Sequence, residues 1–494
     1  MRKVLQAVLI FCFTNAFAQT GIQWGSAVNV AASSFGNYHP RLAADGAGNV
    51  MVLWGKGGAG EAYFSKWNGT AFTNPILLNP PTLPVFTASW AGPDIAASGD
   101  SVYVVVKQTP EMMNHIYMIH SYDGGNTFSA PVQVDNIGSD VSRFPAVTTD
   151  DAGNPLVAFM KFDSTFLNAR YVVTASQDGG NTFSPDMQAS GFSGGTVCDC
   201  CPATIVSSGN TVATLYRDNL NNVRNMWAGI SDDNGNSFGG GIQLDNTNWM
   251  IMSCPSSGPE GVIINDTLCA VFMSQASGTA LSYYSKSVIS SLTRGASIPL
   301  TGAMPGLTQQ NYPRIDHDGN EVAIAWRQTV NNAARVCVKY MNDITNGIAP
   351  AADTIASASN NLIANTDILV RQGTVHVVWQ DDNAGTVRYR KGVFPVGIAQ
   401  NEISKAEIEV FPNPFEDRFN VYFTRPGATE AGGLMFKVGK NMRMIISDVI
   451  GNPVAEKKVF EFPFAFDATD LANGMYLLKI ISDEKTIIKK IIKQ

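Results

Sequence analysis

Short apolar runs recur along the first four-fifths of the chain at a nearly constant interval. Each follows a proline, a few apolar residues and a turn of Asp or Gly-Asn, and often ends in an aromatic residue. The units are Pro40–Trp54, Pro93–Val106, Pro145–Phe159, Pro202–Tyr216, Pro255–Phe272 and Pro313–Trp326, with a seventh from Thr366 to Trp379. Their starts are separated by 53, 52, 57, 53, 58 and 53 residues. A period of that length holds four short strands, which is one blade of a β-propeller. Seven starts predict seven blades, with six as the alternative. Ile22–Val30 precedes the first unit and reads as a lone outer strand. It is expected to complete the last blade, whose fourth strand is missing after Val387-Arg388-Tyr389-Arg390.

The pattern changes near residue 403. Residues 404–494 hold 13 Lys/Arg and 12 Asp/Glu, against 21 and 29 in the preceding 403 residues, so charge density doubles there. Alternating apolar positions and Gly-Asn or Asn-Gly turns predict a small antiparallel β-sandwich. At the other end, Arg2 and Lys3 followed by apolar Val4–Phe13 and Ala16-Phe17-Ala18 read as a secretory leader, 1–18. It is too short to span a bilayer. The expected organisation is therefore leader 1–18, propeller 19–400 and sandwich 404–494.

Composition narrows the class. Charged residues make up 15% of 494, hydrophobic residues 45%, with 45 Gly and 24 Pro. Disordered chains are charge-rich and apolar-poor, and helical bundles are rich in Glu, Lys and Leu, so both are excluded. A net charge of −7 argues against a nucleic-acid partner. A monomer without a transmembrane segment is expected.

Two local patterns carry a family resemblance. Ser121-Tyr122-Asp123-Gly124-Gly125-Asn126-Thr127-Phe128 recurs as Ser176–Phe183 and Ser231–Phe238, each step 55 residues. These octapeptides resemble the Asp-box (BNR) motif of sialidase-like propellers. The resemblance implies that Asp123, Asp178 and Asp233 are structural, capping hairpin turns away from the catalytic face. In the tail, Phe411-Pro412-Asn413-Pro414-Phe415, Asp448–Gly451 and Asn473-Gly474-Met475-Tyr476 resemble the type A C-terminal sorting domain of type IX secretion substrates. That implies delivery by the type IX machinery, removal of the tail, and release or attachment at the outer cell surface.

The sialidase resemblance also implies an arginine clamp for a sugar carboxylate, an Asp acid/base and a Glu-activated Tyr nucleophile. The nearest counterparts are Arg143 in Ser142-Arg143-Phe144-Pro145, Asp163 as the acid and Glu260 as the activating carboxylate. Arg217, Arg314 and Arg327 are further clamp candidates. The match departs from the family at three points. The Arg-x-Pro unit is the third, no Arg follows Glu260 on its strand, and no Tyr is assignable as nucleophile.

Cys198-Asp199-Cys200-Cys201-Pro202 and Cys254-Pro255 sit at corresponding places in successive units. After loss of Cys12 with the leader, six cysteines remain, the others being Cys269 and Cys337. An exported chain with an even count favours disulfides, for example Cys201–Cys254 or Cys198–Cys254. The alternative is a Cu(I) site, since thiolates and thioethers are soft ligands. Met250, Met252, Met112, Met113 and His115 are its candidate additional ligands. The expected function is an exported propeller binding a glycan or a surface protein. A sialidase-related glycoside hydrolase and a copper or redox protein are the alternatives.

Overall fold

The computed structural model describes residues 21–394 and 408–494, apart from 166, 303, 342, 346, 349, 350, 361, 424–435, 438–442, 449–451, 460 and 482–485. The expected leader, 1–18, lies outside them. The chain forms two compact units, the first being Gly21–Pro395 and the second lying within Val396–Gln494.

The first unit is a seven-bladed β-propeller. Its seven antiparallel sheets are here numbered 1 to 7 in chain order by their innermost strands: Asn37–Ala44, Asp94–Ser98, Val141–Thr149, Thr204–Ser208, Glu260–Ile264, Leu307–Asp318 and Ile363–Arg371. Each inner strand pairs with the following strand of its own sheet and lies against the inner strands of both neighbouring sheets. The seventh lies against the first, so the ring closes. Sheets 1 to 6 draw all their strands from consecutive sequence. Sheet 7 does not: Gln23–Trp24 and Val28–Asn29 pair antiparallel with Thr386–Val393 and supply its outer edge. The strand expected from the sequence to close the last blade does so, and the count is seven.

Faces between blades are apolar because both sides of every sheet are covered, so its strands read as continuous hydrophobic runs. Between sheets 7 and 1, Val52 and Trp54 pack with Val378, Val387 and Tyr389. Between sheets 5 and 6, Val271 and Tyr284 pack with Ile324 and Trp326. The three octapeptide turns join this packing at the rim. In each, one Oδ of the aspartate accepts from a Ser hydroxyl and the backbone N–H four residues on, and the other accepts from the hydroxyl of that same residue. These bonds stabilise the charged form, led by those from Thr182, and hold the Asp178 carboxyl down at about 2. The closing phenylalanines pack on the sheet before: Phe128 meets Phe64 edge-on at 5.0 Å, and Phe183 and Phe238 join the clusters between sheets 2 and 3 and between sheets 3 and 4.

The register places one residue of each inner strand at the same level of the axis. Around the ring these are Arg41, Asp94, Ala146, Thr204, Glu260, Arg314 and Asp367, each after a proline except Thr204, which follows Ala203, and Asp367, which follows Thr366. In sheet 5 the aligned proline is Pro259 rather than Pro255. Glu260 pairs with Val271 as Arg314 pairs with Ala325 and Arg41 with Leu53. The five charged members alternate in sign from Glu260 to Asp94 and line an axial cavity of about 690 Å³. Arg314 is ion-paired with Glu260. Arg41 lies 3.9 Å from Asp94, and Asp367 accepts from the Leu42 N–H at 2.7 Å. Burial dominates the proton affinities. It draws Arg41 down to about 10, with Arg314 adding to the fall. It pushes Asp367 up to about 6 against the pull of both arginines.

Four inner strands enter this ring through a β-bulge, where the register shifts between Tyr38 and Arg41, Arg143 and Ala146, Asn311 and Arg314, and Ala364 and Thr366. Each bulge holds one left-handed residue: His39, Phe144, Tyr312 or Asn365, with φ of 54°, 50°, 52° and 31°. Such residues cost roughly 1–3 kcal/mol each and persist where the surroundings impose them.

The second unit is a small β-sandwich. A sheet of Ile408–Phe411, Arg418–Phe423 and Phe464–Asp467 and one of Pro453–Lys458, Arg443–Ser447, Gly474–Ile481 and Thr486–Lys493 enclose Phe415, Phe419, Met444, Ile446, Phe466, Leu478 and Ile491. Asn413 grips the last strand by donating to the Lys490 carbonyl and accepting from the Ile492 N–H. Lys493 donates to the carbonyls of Ala468, Thr469 and Leu471.

Two consequences are measurable. Deleting 21–30 uncovers the edge of Thr386–Val393, and the expected outcome is a lower Tm with concentration-dependent self-association in gel filtration. Arg314→Met leaves Glu260 without its partner and is expected to cost about 3 kcal/mol in denaturant unfolding, part of which is recovered in the Glu260→Gln/Arg314→Met double variant. Asp367 adds a pH signature. Its folded carboxyl binds a proton more tightly than the unfolded one (about 6 against 3.8). Its ionisation therefore removes stability as pH rises from about 4 to about 6, a slope that Asp367→Asn flattens.

Candidate functional site

Each sheet sends two kinds of loop to the face opposite the octapeptide turns: the loop between its second and third strands, and the connection to the next sheet. The connection from sheet 1 to sheet 2 crosses the axial mouth. Its Ser89 carbonyl accepts from Asn365 of sheet 7. Its Trp90 meets Phe144 of sheet 3 edge-on at 5.4 Å and Phe86 at 6.4 Å. The charged ring thus lies beneath a loop whose outer aromatic members, Phe86 and Trp90, are half-buried.

Beside this shelf stands Arg143. Its guanidinium lies 4.2 Å over the Phe144 ring. Nε and Nη2 donate to the two carboxylate oxygens of Glu111 at 2.8 and 3.0 Å, and Nη1 donates to the Asp199 carbonyl. Arg143 therefore ties the sheet 2 loop that holds Glu111 to the cysteine loop before sheet 4. The bidentate geometry suited to a ligand carboxylate is here satisfied by a carboxylate of the chain itself.

The other hydrolase candidates occupy separate environments. Asp163 caps its own loop, accepting from the Thr165 and Leu167 N–H groups, the Thr165 hydroxyl and the Asn168 amide. These bonds, led by the Thr165 hydroxyl, hold its carboxyl below the usual range, the reverse of what a general acid needs. Glu260 belongs to the axial ring. Arg217 is fully buried and donates to the carbonyls of Ser257, Arg224 and Met273. Among the described residues, Arg143, Asp163, Glu260 and Arg217 share no hydrogen bond or ion pair with one another. Glu111, the partner that defines the environment of Arg143, carried no motif in the sequence.

The cysteines gather where the sequence placed them, with a different pairing. Cys200 is bonded to Cys254 across 54 residues, joining the loop before sheet 4 to the one before sheet 5. Cys201 and Cys198, the expected partners of Cys254, are buried free thiols, as are Cys269 and Cys337. The reason is exposure: Cys254 lies on the surface and Cys200 is half-buried within reach, whereas Cys198 and Cys201 point into the protein with 0% exposure. Cys198 Sγ lies 2.7 Å from Cys201 Sγ and 3.6 Å from Cys200 Sγ. The Cys201 thiol, together with Arg217 and Arg224, lowers the Cys198 thiol to about 7, while burial raises Cys201. Arg224 Nε and Nη1 and Asp218 Oδ1 are buried without a hydrogen-bond partner among the described residues.

The sulfurs of Cys198, Cys200 and Cys201 lie within 4.8 Å of one another, a spacing able to hold a metal. The pairing of Cys200 with Cys254 withdraws one of those donors. Met250 and Met252 flank Cys254 as exposed side chains, and Met113 is 82% exposed. The His115 ring is held by Asp135 at 2.9 Å and by Gln133. The donor set therefore fits a soft cation poorly while the disulfide is intact.

No curated protein matches the chain. Among solved structures, a protein of unknown function from Dyadobacter fermentans is 11% identical with a TM-score of 0.45, over 76% of this chain and 100% of its own. An ulvan lyase, described as a polysaccharide lyase, is 10% identical with a TM-score of 0.48, over 74% and 95%. The endosialidase of phage phi92 is 9% identical with a TM-score of 0.44, over 94% and 87%. No described helix is long and apolar enough to cross a membrane. Residues 409–494 match the family described as the secretion system C-terminal sorting domain, so the chain ends in an export-sorting tail.

Proposed function

We propose that the protein is a glycan-binding propeller, delivered to the cell surface or the medium by type IX secretion through its tail. The leader 1–18 takes the chain across the inner membrane, the propeller 19–400 is the cargo, and the tail 404–494 is removed. The observation that carries the binding reading is the shelf of Phe86 and Trp90 backed by Phe144, with the Arg143–Glu111 fork at its side. A sugar ring has an apolar C–H face and a polar edge. Half-buried aromatic rings suit the first and a fixed guanidinium–carboxylate pair suits the second. Phe144 sits in a left-handed conformation within a bulge, a strain of the kind found at binding sites. The hydrolase reading has less support, because Arg143 is already paired and Asp163 caps its own turn.

Two experiments bear on this. A glycan array probed with the purified chain is expected to retain a defined glycan. Titration calorimetry with that glycan is then expected to show at least roughly tenfold weaker binding for Trp90→Ala, about 1.4 kcal/mol, with an unchanged Tm. An empty array, or equal affinity for the variant, defeats the proposal. Separately, a chain lacking 409–494, expressed in a host with type IX secretion, is expected to stay in the periplasm by cell fractionation. Its normal arrival outside would refute the export route.

A further inference from the structure

The cysteine loop contains more chemistry than one staple. Cys198 and Cys201 form a Cys-x-x-Cys pair with no outlet to solvent, since both are 0% exposed. A bulky oxidant or a partner protein cannot reach them in the folded chain. The Cys200–Cys254 disulfide can be reached, because Cys254 is exposed. Cys198 is the link between the two pairs: its sulfur lies 2.7 Å from that of Cys201 and 3.6 Å from that of Cys200.

We infer that the four cysteines form a thiol–disulfide relay, in which the exposed Cys200–Cys254 bond passes oxidation inward to create a buried Cys198–Cys201 disulfide. In the first step Cys198 attacks Cys200 Sγ as a thiolate, its proton passing to the Cys254 sulfur that leaves. A Cys198–Cys200 bond forms, the Cys200–Cys254 bond breaks, and Cys254 leaves as a thiolate that takes up a proton. In the second, Cys201 attacks Cys198 Sγ and gives its proton to Cys200, which leaves as the Cys198–Cys200 bond breaks and a Cys198–Cys201 bond forms. One disulfide and two thiols enter, and one disulfide and two thiols remain, so no electrons leave the chain. An external low-molecular-weight disulfide then reoxidises Cys200 and Cys254, accepting two electrons and two protons as it becomes two thiols. The end state has two disulfides in one loop region, with Cys269 and Cys337 still reduced. The relay is independent of what the loop face binds.

Incubation of the chain without its leader, and so without Cys12, with oxidised glutathione, followed by alkylation in denaturant and non-reducing peptide mapping, tests this. The wild type is expected to lose two alkylatable thiols, those of Cys198 and Cys201, and to yield a peptide linked between them. Cys200→Ser/Cys254→Ser removes the entry point, and oxidation of the inner pair is expected to slow at least tenfold while the Tm shows the variant folded. Cys201→Ser removes the resolving thiol, and a Cys198–Cys200 linked peptide is expected to appear with Cys254 alkylated. This single variant serves if the double one does not fold. Four alkylatable thiols in the oxidised wild type, or an equal oxidation rate in a folded double variant, would overturn the relay. So would no Cys198–Cys200 linkage in Cys201→Ser. Stoichiometric copper bound by the wild type with these thiols reduced would do the same.

Discussion

A ring of sheets is stable only when it closes, and closure is the constraint on which the rest of this molecule depends. Each sheet buries both faces against its neighbours, so a gap anywhere would expose two apolar surfaces at once. The chain closes the ring by lending its first strands, Gln23–Trp24 and Val28–Asn29, to its last blade. The two ends of the propeller thereby hold each other across about 360 residues of sequence. With the circle fixed, the inner strands stand at one level, and side chains far apart in sequence meet on the axis.

That convergence explains why the charged residues mean something different in the structure than in the sequence. Arg314 and Glu260 are 54 residues apart and pair because sheets 5 and 6 are neighbours. In a partly dry axis, an unpaired arginine or carboxylate would be costly, so opposite charges alternate around the arc. The same logic holds at the face. Arg143 has the fork that suits a ligand carboxylate, but the neighbouring blade's loop supplies Glu111 first. Arg143 consequently positions loops and shapes the surface beside the aromatic shelf.

Features whose hydrogen bonds close within a few residues were legible from the residues alone. The octapeptide turns are of this kind, because the aspartate, serine and threonine that bond one another lie within seven positions. The blade period and the orphan outer strand were legible because repetition reveals a missing member. Register was not always so. The sequence starts the fifth unit at Pro255, and tertiary packing aligned Pro259 instead. A side chain at Gly258 would strike the Pro202 carbonyl of the preceding sheet, its Cβ lying 1.8 Å away, so this segment fits only with glycine there. The disulfide was similarly open: six cysteines allow 15 pairings, and only relative exposure and reach joined Cys200 to Cys254.

By itself, then, the sequence determined the all-β repeat, the closing strand and the sorting tail, and narrowed the blades to seven or six. Each of these is written in local periodicity or in a contiguous motif. The tertiary structure decided which charge neutralises which, which thiols are sheltered and which aromatic rings remain half in solvent. Those outcomes depend on distances between blades, and no local pattern encodes the distance between residues that only the closed ring brings together.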